Sequence, residues 1–142
     1  MKMQTASSQL TFFIILTRTK NRTLKYFESI LEELNFNEFL VLYYLNRSFK
    51  RKLTQTELAD RLGITRAGMT RILKIMQGTK LIKVDFSADD TRAKYIQPTT
   101  VGYQKFLQAL ERLDSGAKHL TSSTDEEFLE ECTQFLQTIS AH

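Results

Sequence analysis

The segment TQTELADRLGITRAGMTRILKIM, residues 54–76, carries the strongest structural signal in the chain, because it predicts two short helices joined by a tight turn. Thr54 begins the first helix with a capping box, since Glu57 lies three residues later and can bond back to the amide of the cap. Gly63 ends this helix where a left-handed backbone is needed. Thr65 then caps a second helix with apolar residues at intervals of three and four, namely Met69, Ile72, Leu73 and Met76.

A β-hairpin is predicted directly after these two helices. Residues 81–84 and 94–97 are β-prone, the polar residues 85–93 separate them, and the only proline follows the second segment. Helix, three-residue turn, helix and hairpin are, in this order, the elements of a winged helix-turn-helix. In that motif the second helix lies in the major groove of DNA.

Helices are also predicted before this region. Residues 8–34 form one long helix, with apolar side chains near helical spacing and no glycine or proline. Residues 12–16 of this helix are apolar around the whole circumference, so they need cover from a partner subunit or from their own domain. Asn37 is the expected cap of a second helix that contains residues 39–45.

The C-terminal part of the chain predicts two more helices. Thr99 or Thr100 caps a helix directed towards Gly116, and Thr124 begins the last helix with a second capping box. That last helix has an apolar stripe, which is more than a lone terminal helix leaves in water. Cys132 on this stripe is expected to be a small buried packing residue, not a redox sensor.

The chain is predicted to be one domain, residues 1–142, mainly α with a small β-hairpin wing (α+β). Residues 36–100 form the winged helix-turn-helix DNA-binding region in this prediction. Residues 8–34 and 118–140 form dimerisation helices, because their apolar surface exceeds what a single winged domain can cover. Such a homodimer is expected to read a pseudo-palindromic operator in double-stranded DNA.

Charge is distributed unevenly along the chain. The net charge of +4 divides into +2 for residues 1–34, +6 for residues 35–100 and −4 for residues 101–142. A basic middle followed by an acidic tail is expected of a core that binds a polyanion, although a solvated charged face explains it as well. The longest apolar run is too short to span a bilayer, so no membrane contact and a cytoplasmic location are predicted.

The candidate DNA-binding residues lie on the second helix of the motif. Its exposed face carries cationic groups and a hydroxyl that can meet base edges and phosphates, on Arg66, Thr70, Arg71 and Lys74. Thr65 caps the helix that carries this face. Gly68 lets the backbone approach DNA, at a cost of about 1 kcal/mol in helix propensity relative to alanine. The basic residues 50–52 are expected to contact phosphates. Each arginine taken singly can also be an ordinary solvated residue.

Several of these motifs together resemble the MarR family of bacterial and archaeal regulators. The resemblance spans about residues 36–106 and includes Leu53-Thr-Gln-Thr-Glu-Leu-Ala-Asp-Arg-Leu-Gly-Ile-Thr-Arg66, Thr70-Arg71, Leu81-Ile82, Asp90-Thr91-Arg92 and Pro98-Thr-Thr-Val-Gly102. Its most specific part is the Asp-x-Arg pair, which Gly102 follows ten residues later. The resemblance implies a repressor that binds DNA as a dimer and is released by a small organic, often aromatic and acidic, effector. It also implies that Arg92 enters the minor groove and that Asp90 orients Arg92 or an arginine of the recognition helix.

The chain departs from the family pattern in two places. Lys80 stands where members usually have a glycine just before the first wing strand, and Gly78 lies two residues earlier, so the recognition helix is expected to end differently. Lys74 replaces an acidic residue common in the family and can add a phosphate contact.

The sequence is less specific about small molecules. Arg18, Arg22, Phe36, Tyr43 and Tyr44 can line an effector cleft, although an aromatic core and a solvated helix face explain them equally well. No phosphate loop, nucleophile elbow or zinc-protease motif is present, and there are only two histidines, so we expect neither an enzyme nor a cofactor or metal site. The alternative function is a winged helix that binds protein or single-stranded nucleic acid.

Overall fold

The computed structural model describes residues 4–86 and 94–142. Six α-helices within these residues are α1 (Ser8–Ile30), α2 (Phe36–Asn46), α3 (Gln55–Leu62), α4 (Arg66–Gly78), α5 (Thr100–Leu120) and α6 (Glu126–Ser140). The strands are β1 (Leu53–Thr54), β2 (Ile82–Phe86) and β3 (Lys94–Pro98), and a 3-10 helix covers Phe49–Arg51. This architecture confirms the predicted fold class. The predicted wing residues Asp90 and Arg92 lie outside the described residues.

The helix-turn-helix forms as the sequence predicts. Thr54 Oγ1 accepts a hydrogen bond from the amide of Glu57 at 3.2 Å, and Glu57 Oε2 accepts one from the amide of Thr54 at 2.8 Å, so the capping box is closed. Gly63 has a φ of 66°, the left-handed conformation that ends α3. Thr65 Oγ1 accepts from the amide of Gly68 at 3.1 Å and begins α4. These local bonds set the tight turn between the two helices.

The wing strands belong to a three-stranded antiparallel sheet of order β1-β3-β2. Val84 of β2 and Leu53 of β1 both pair with Ile96 of the central strand β3. Strand β1 was not predicted, because its two residues, the second of which also caps α3, carry no periodic signal. Its pairing attaches the base of the wing to the start of α3.

The hydrophobic core lies between α2, the helix-turn-helix, the sheet and α5. Its largest fully buried side chains are Leu42, Leu45, Leu58, Met69, Met76 and Val41. Phe39 of α2 stacks on Phe106 of α5, with ring centroids 5.5 Å apart. Helix α2 therefore joins the helix-turn-helix to α5.

Two predicted boundaries near the N-terminus are wrong. Helix α1 ends at Ile30, not at residue 34, and α2 is capped by Asn35, not by Asn37. Asn35 Oδ1 accepts from the amide of Glu38 at 2.8 Å, and Glu38 Oε1 accepts from the amide of Asn35 at 3.0 Å. Because this box requires an extended backbone at Asn35, α1 does not continue into α2. Leu34, which lies between the two helices, is buried in the core.

The last helix also differs from its prediction. Its cap is Asp125, whose Oδ2 accepts from the amide of Phe128 at 3.3 Å, so the predicted cap at Thr124 is wrong. None of the residues of α6 is buried in the single chain. Cys132 is accordingly half-buried and not, as predicted, buried. Helix α6 thus leaves its apolar stripe largely uncovered.

The recognition helix α4 ends at Gly78, and Lys80 takes the left-handed backbone at which a glycine is favoured. The φ of Lys80 is 62°, a conformation that costs a residue with a side chain about 1 kcal/mol. The carbonyl of Lys80 accepts a 2.6 Å hydrogen bond from Thr99 Oγ1, which ties this turn to the start of α5. Lys80, which stands where the family usually has a glycine, therefore adopts the left-handed conformation that a glycine would adopt there.

None of the helices in the described part of the chain has the length and apolar character needed to cross a membrane.

Candidate nucleic-acid interface

Helix α4 has one buried and one exposed face, as its periodicity predicts. Met69, Leu73 and Met76 are buried, and Ile72 is half-buried. The predicted DNA-contacting residues Arg66, Thr70, Arg71 and Lys74 are all exposed. The helix can therefore place three cations against a polyanion while its other face stays in the core.

The N-terminus of α3 lies beside this exposed face. Gln55 Nε2 donates to Thr70 Oγ1 at 2.5 Å, and Thr70 Oγ1 donates to the carbonyl of Arg66 at 2.9 Å. The Arg66 guanidinium donates to Thr56 Oγ1 at 3.4 Å. Gln55 and Thr56 were not predicted as site residues, because the signal for them is a contact between helices and not a pattern within one helix.

Thr65 and Gly68 have a local structural role at the start of α4. A Cβ at position 68 would lie 3.2 Å from Thr65 Oγ1, the oxygen that accepts the capping bond. A side chain there would crowd this cap. Glycine at this position is therefore explained by the cap as well as by the predicted close approach to DNA.

The basic residues 50–52 lie at the base of the wing, near the start of α5. Lys50 and Arg51 have positive φ values of 54° and 53°. Both line a cavity of about 290 Å³ whose wall includes Lys83, Thr99 and Tyr103. The Arg51 guanidinium lies 5.0 Å from the centroid of the Tyr103 ring. The basic residues 50–52 thus lie beside the start of α5.

A second cavity, of about 330 Å³, lies between α2 and α5. Its lining residues among those described are Tyr43, Asn46, Arg47, Arg51, Tyr103, Phe106, Leu107 and Leu110. Arg47 packs on the ring of Tyr43, with 5.4 Å between its guanidinium carbon and the centroid. The cavity therefore combines two arginines with aromatic and aliphatic walls.

Of the predicted effector-cleft residues, the structure brings Tyr43 to this cavity. Arg18 and Arg22 are exposed on α1 and do not line it. Phe36 packs between the rings of Phe27 and Phe39, at 5.4 and 5.9 Å. Tyr44 contacts Tyr43 edge to face at 5.3 Å. Arg47 was missed because it is an isolated basic residue, and Arg51 was assigned only to phosphate contacts as part of the basic residues 50–52. The cavity that both arginines line forms only when α2 packs on α5.

An exposed apolar surface extends over the two terminal helices. We call it the terminal-helix surface, and it consists of Phe12, Phe13, Ile14, Ile15, Phe128, Phe135 and Leu136. The rings of Phe12 and Phe135 meet edge to face at 5.6 Å, which joins α1 to α6. Ile14 and Phe135 are 54% and 53% exposed. The alternative that this segment is covered by its own domain is therefore wrong for residues 12–15.

In the ranges 4–86 and 94–142, no cluster of three or more histidine, cysteine or acidic residues is positioned to hold a metal ion.

The fold and this face define a winged helix-turn-helix protein. The model of the MarR family matches residues 33–93, which include α2, α3, α4 and β2. The family resemblance identified from the sequence is thereby confirmed, and it agrees with the predicted class of DNA-binding transcriptional regulator. No curated protein sequence matches the chain.

Solved structures share this fold over nearly the whole chain. A MarR-family transcriptional regulator from Rhodococcus sp. RHA1 has a TM-score of 0.85 at 16% identity and covers 96% of both chains. The regulator MOSR of M. tuberculosis in complex with DNA has a TM-score of 0.73 at 24% identity, covering 96% of this chain and 98% of that one. NadR in complex with 4-hydroxyphenylacetate has a TM-score of 0.80 at 18% identity, covering 99% and 98%.

Proposed function

We propose that this protein is a sequence-specific, double-stranded DNA-binding repressor that works as a homodimer and is released by a small organic effector. The observation that carries the proposal is the exposed face of α4, whose cations stand opposite a buried stripe on a helix suited to the major groove. The fold shared with MOSR, a regulator solved with DNA, supports it. The same proposal includes Arg92 in the minor groove and Asp90 as the residue that orients Arg92 or an arginine of α4.

Selection of genomic fragments tests this function. The protein is incubated with sheared host DNA, the retained fragments are sequenced, and one is titrated by gel shift against excess nonspecific duplex. We expect a pseudo-palindrome with half-sites about 10 bp apart. Equal affinity for all duplexes, or preference for single strands, would favour the alternative winged-helix functions.

The homodimer follows from the terminal-helix surface. Contiguous apolar area of this kind is rare on monomers and marks an interface. A two-fold axis through α1 and α6 would bury the surface of both subunits and relate the two copies of α4 by the symmetry that a pseudo-palindrome has. Dimerisation is therefore proposed as the condition for reading two half-sites.

Arg66 and Arg71 are expected to set sequence preference, whereas Lys74 is expected to act through phosphates. Replacing either arginine by alanine should cost about 1–3 kcal/mol at the preferred operator and relax specificity at one base pair. Lys74→Ala should weaken binding to all sequences and flatten the salt dependence. Titrating each variant against single-base operator variants at several salt concentrations measures both quantities. A loss of preference at one position by Lys74→Ala, with an unchanged salt slope, would reverse its assignment.

Effector release is proposed to use the cavity between α2 and α5. Its two arginines can pair with a carboxylate, while Phe106, Leu107 and Leu110 provide the apolar wall that an aromatic ring requires. Ligand-bound NadR, which shares the fold, supports the proposal. The cavity adjoins α2, and α2 packs on α3 and α4, so a bound molecule can shift the recognition helices.

Aromatic carboxylates are therefore expected to bind this cavity and to weaken operator binding. Arg47→Ala should weaken the binding of benzoate-type acids at least about tenfold in calorimetry, because one charge-assisted bond is lost. The matched control is Arg112→Ala, since Arg112 pairs with Glu32 at 3.0 Å outside this cavity. Equal acid affinity in Arg47→Ala and in the unmodified protein would remove the cavity from the proposal.

A further inference from the structure

Gln55 is the first residue of α3, and its side chain spans the gap to the recognition helix. Its Nε2 lies 2.5 Å from Thr70 Oγ1 and 3.4 Å from the carbonyl oxygen of Arg66. Both partners belong to α4, whose exposed face carries the proposed DNA contacts. Gln55 itself is half-buried, so this carboxamide is held between the helices while remaining open to solvent on one side.

The hydrogen bonds determine which end of the carboxamide remains free. The Arg66 carbonyl can only accept, so the Gln55 atom beside it must be the nitrogen, and the opposite amide orientation would place two oxygens together. Within the described residues, Gln55 Oε1 makes no hydrogen bond. The free end is therefore an acceptor without a donor.

The same bonds occupy the hydroxyl of Thr70. A hydroxyl has one proton, and Thr70 gives its proton to the Arg66 carbonyl at 2.9 Å while its oxygen accepts from Gln55. Thr70 therefore has no proton left to donate to a base or a phosphate. The polar group that this pair presents outward is the carboxamide oxygen of Gln55.

We propose that Gln55 is a specificity-determining residue of the DNA interface, positioned by Thr70, whose Oε1 accepts a hydrogen bond from an exocyclic amino group in the major groove. Only adenine N6 and cytosine N4 offer such donors there. Phosphate oxygens are acceptors, so this oxygen cannot bind the DNA backbone. The inference rests on the proposed function, because it requires α4 to lie in the major groove.

The test measures base preference with the full-length protein. Each operator position is substituted in turn, and affinity is measured for the unmodified protein, Gln55→Ala, Thr70→Val and Thr70→Ser. Gln55→Ala should lose about five- to 150-fold discrimination at one adenine or cytosine in each half-site. Thr70→Val should reduce base discrimination at the same position, because the carboxamide loses the hydroxyl that holds it. Thr70→Ser keeps the hydroxyl and should keep the discrimination. Gln104→Ala, which removes an exposed glutamine from α5, is the matched control.

The outcomes separate this inference from the proposed function. If the unmodified protein binds no duplex selectively, the proposed function fails and the inference fails with it. If the unmodified protein is selective and Gln55→Ala keeps every preference, the inference alone is wrong. Uniform weakening by Gln55→Ala with a flatter salt slope would indicate a phosphate contact and would also overturn it. A Thr70→Val effect at a different base pair would show that Thr70 reads its own base, and it would overturn the positioning role given to Thr70.

Discussion

Gly102→Ala is expected to lower the free energy of unfolding by about 3 kcal/mol or more, because the added methyl group meets backbone and not a flexible side chain. A Cβ at this position would lie 2.0 Å from the carbonyl oxygen of Leu81 and 2.9 Å from its carbonyl carbon. That oxygen already accepts a hydrogen bond from the amide of Thr99 at 3.1 Å. The start of α5 therefore cannot move away without breaking its own attachment to the wing.

Urea denaturation followed by circular dichroism measures this loss. Gly78→Ala is the matched control, since no atom lies within 4 Å of a Cβ at the end of α4. That variant should be neutral or up to about 1 kcal/mol more stable, because alanine has the higher helix propensity. Equal stability of Gly102→Ala and the unmodified protein would mean that α5 can slide along the sheet without cost.

The DNA-binding half of the fold could be predicted because its signals are local. The caps at Thr54 and Thr65 and the left-handed Gly63 each act within a few residues. Hydrophobic periodicity then determines which side of α4 is buried. The same helical periodicity predicts which candidate residues lie on the opposite side. These are Arg66, Thr70, Arg71 and Lys74, and all four are exposed.

The features that sequence reasoning missed depend on competition between two candidate helix caps or on contacts between residues far apart in the chain. Two asparagines could cap α2, and Asn35 prevails because Glu38 closes its box. Strand β1 exists only through its pairing with β3, a contact between residues far apart in the chain. A left-handed Lys80 is disfavoured locally and is held by Thr99, nineteen residues later.

The candidate site was incomplete for the same reason. Gln55 reaches α4 from a neighbouring helix, and Arg47 meets Arg51 only at the cavity between α2 and α5. No spacing rule within one helix connects these residues. Pairs of polar residues at the facing ends of two predicted helices are the signal that could have identified Gln55.

Ile14→Glu is expected to convert the protein to a monomer and to weaken operator binding at least about 100-fold. Ile14 is 54% exposed in the single chain, so a carboxylate there is solvated and the fold of the monomer is kept. In the proposed dimer the same carboxylate would be buried without a partner, at a cost of several kcal/mol. A monomer holds one half-site at a time and loses the roughly 10²- to 10⁴-fold gain of linked binding.

Sedimentation at micromolar concentration and operator titration at fixed salt measure the two effects together. Val101→Glu is the matched control, because Val101 is 47% exposed on α5, outside the terminal-helix surface, and its replacement adds the same negative charge. Repulsion between the added charge and DNA would weaken operator binding by both variants alike, whereas loss of contact with the second half-site would weaken operator binding by Ile14→Glu alone. A monomer that still bound the full operator tightly would mean that one winged helix suffices for recognition. A dimer that survived Ile14→Glu would mean that the contact between subunits lies away from α1, and the two copies of α4 would then need a different two-fold axis.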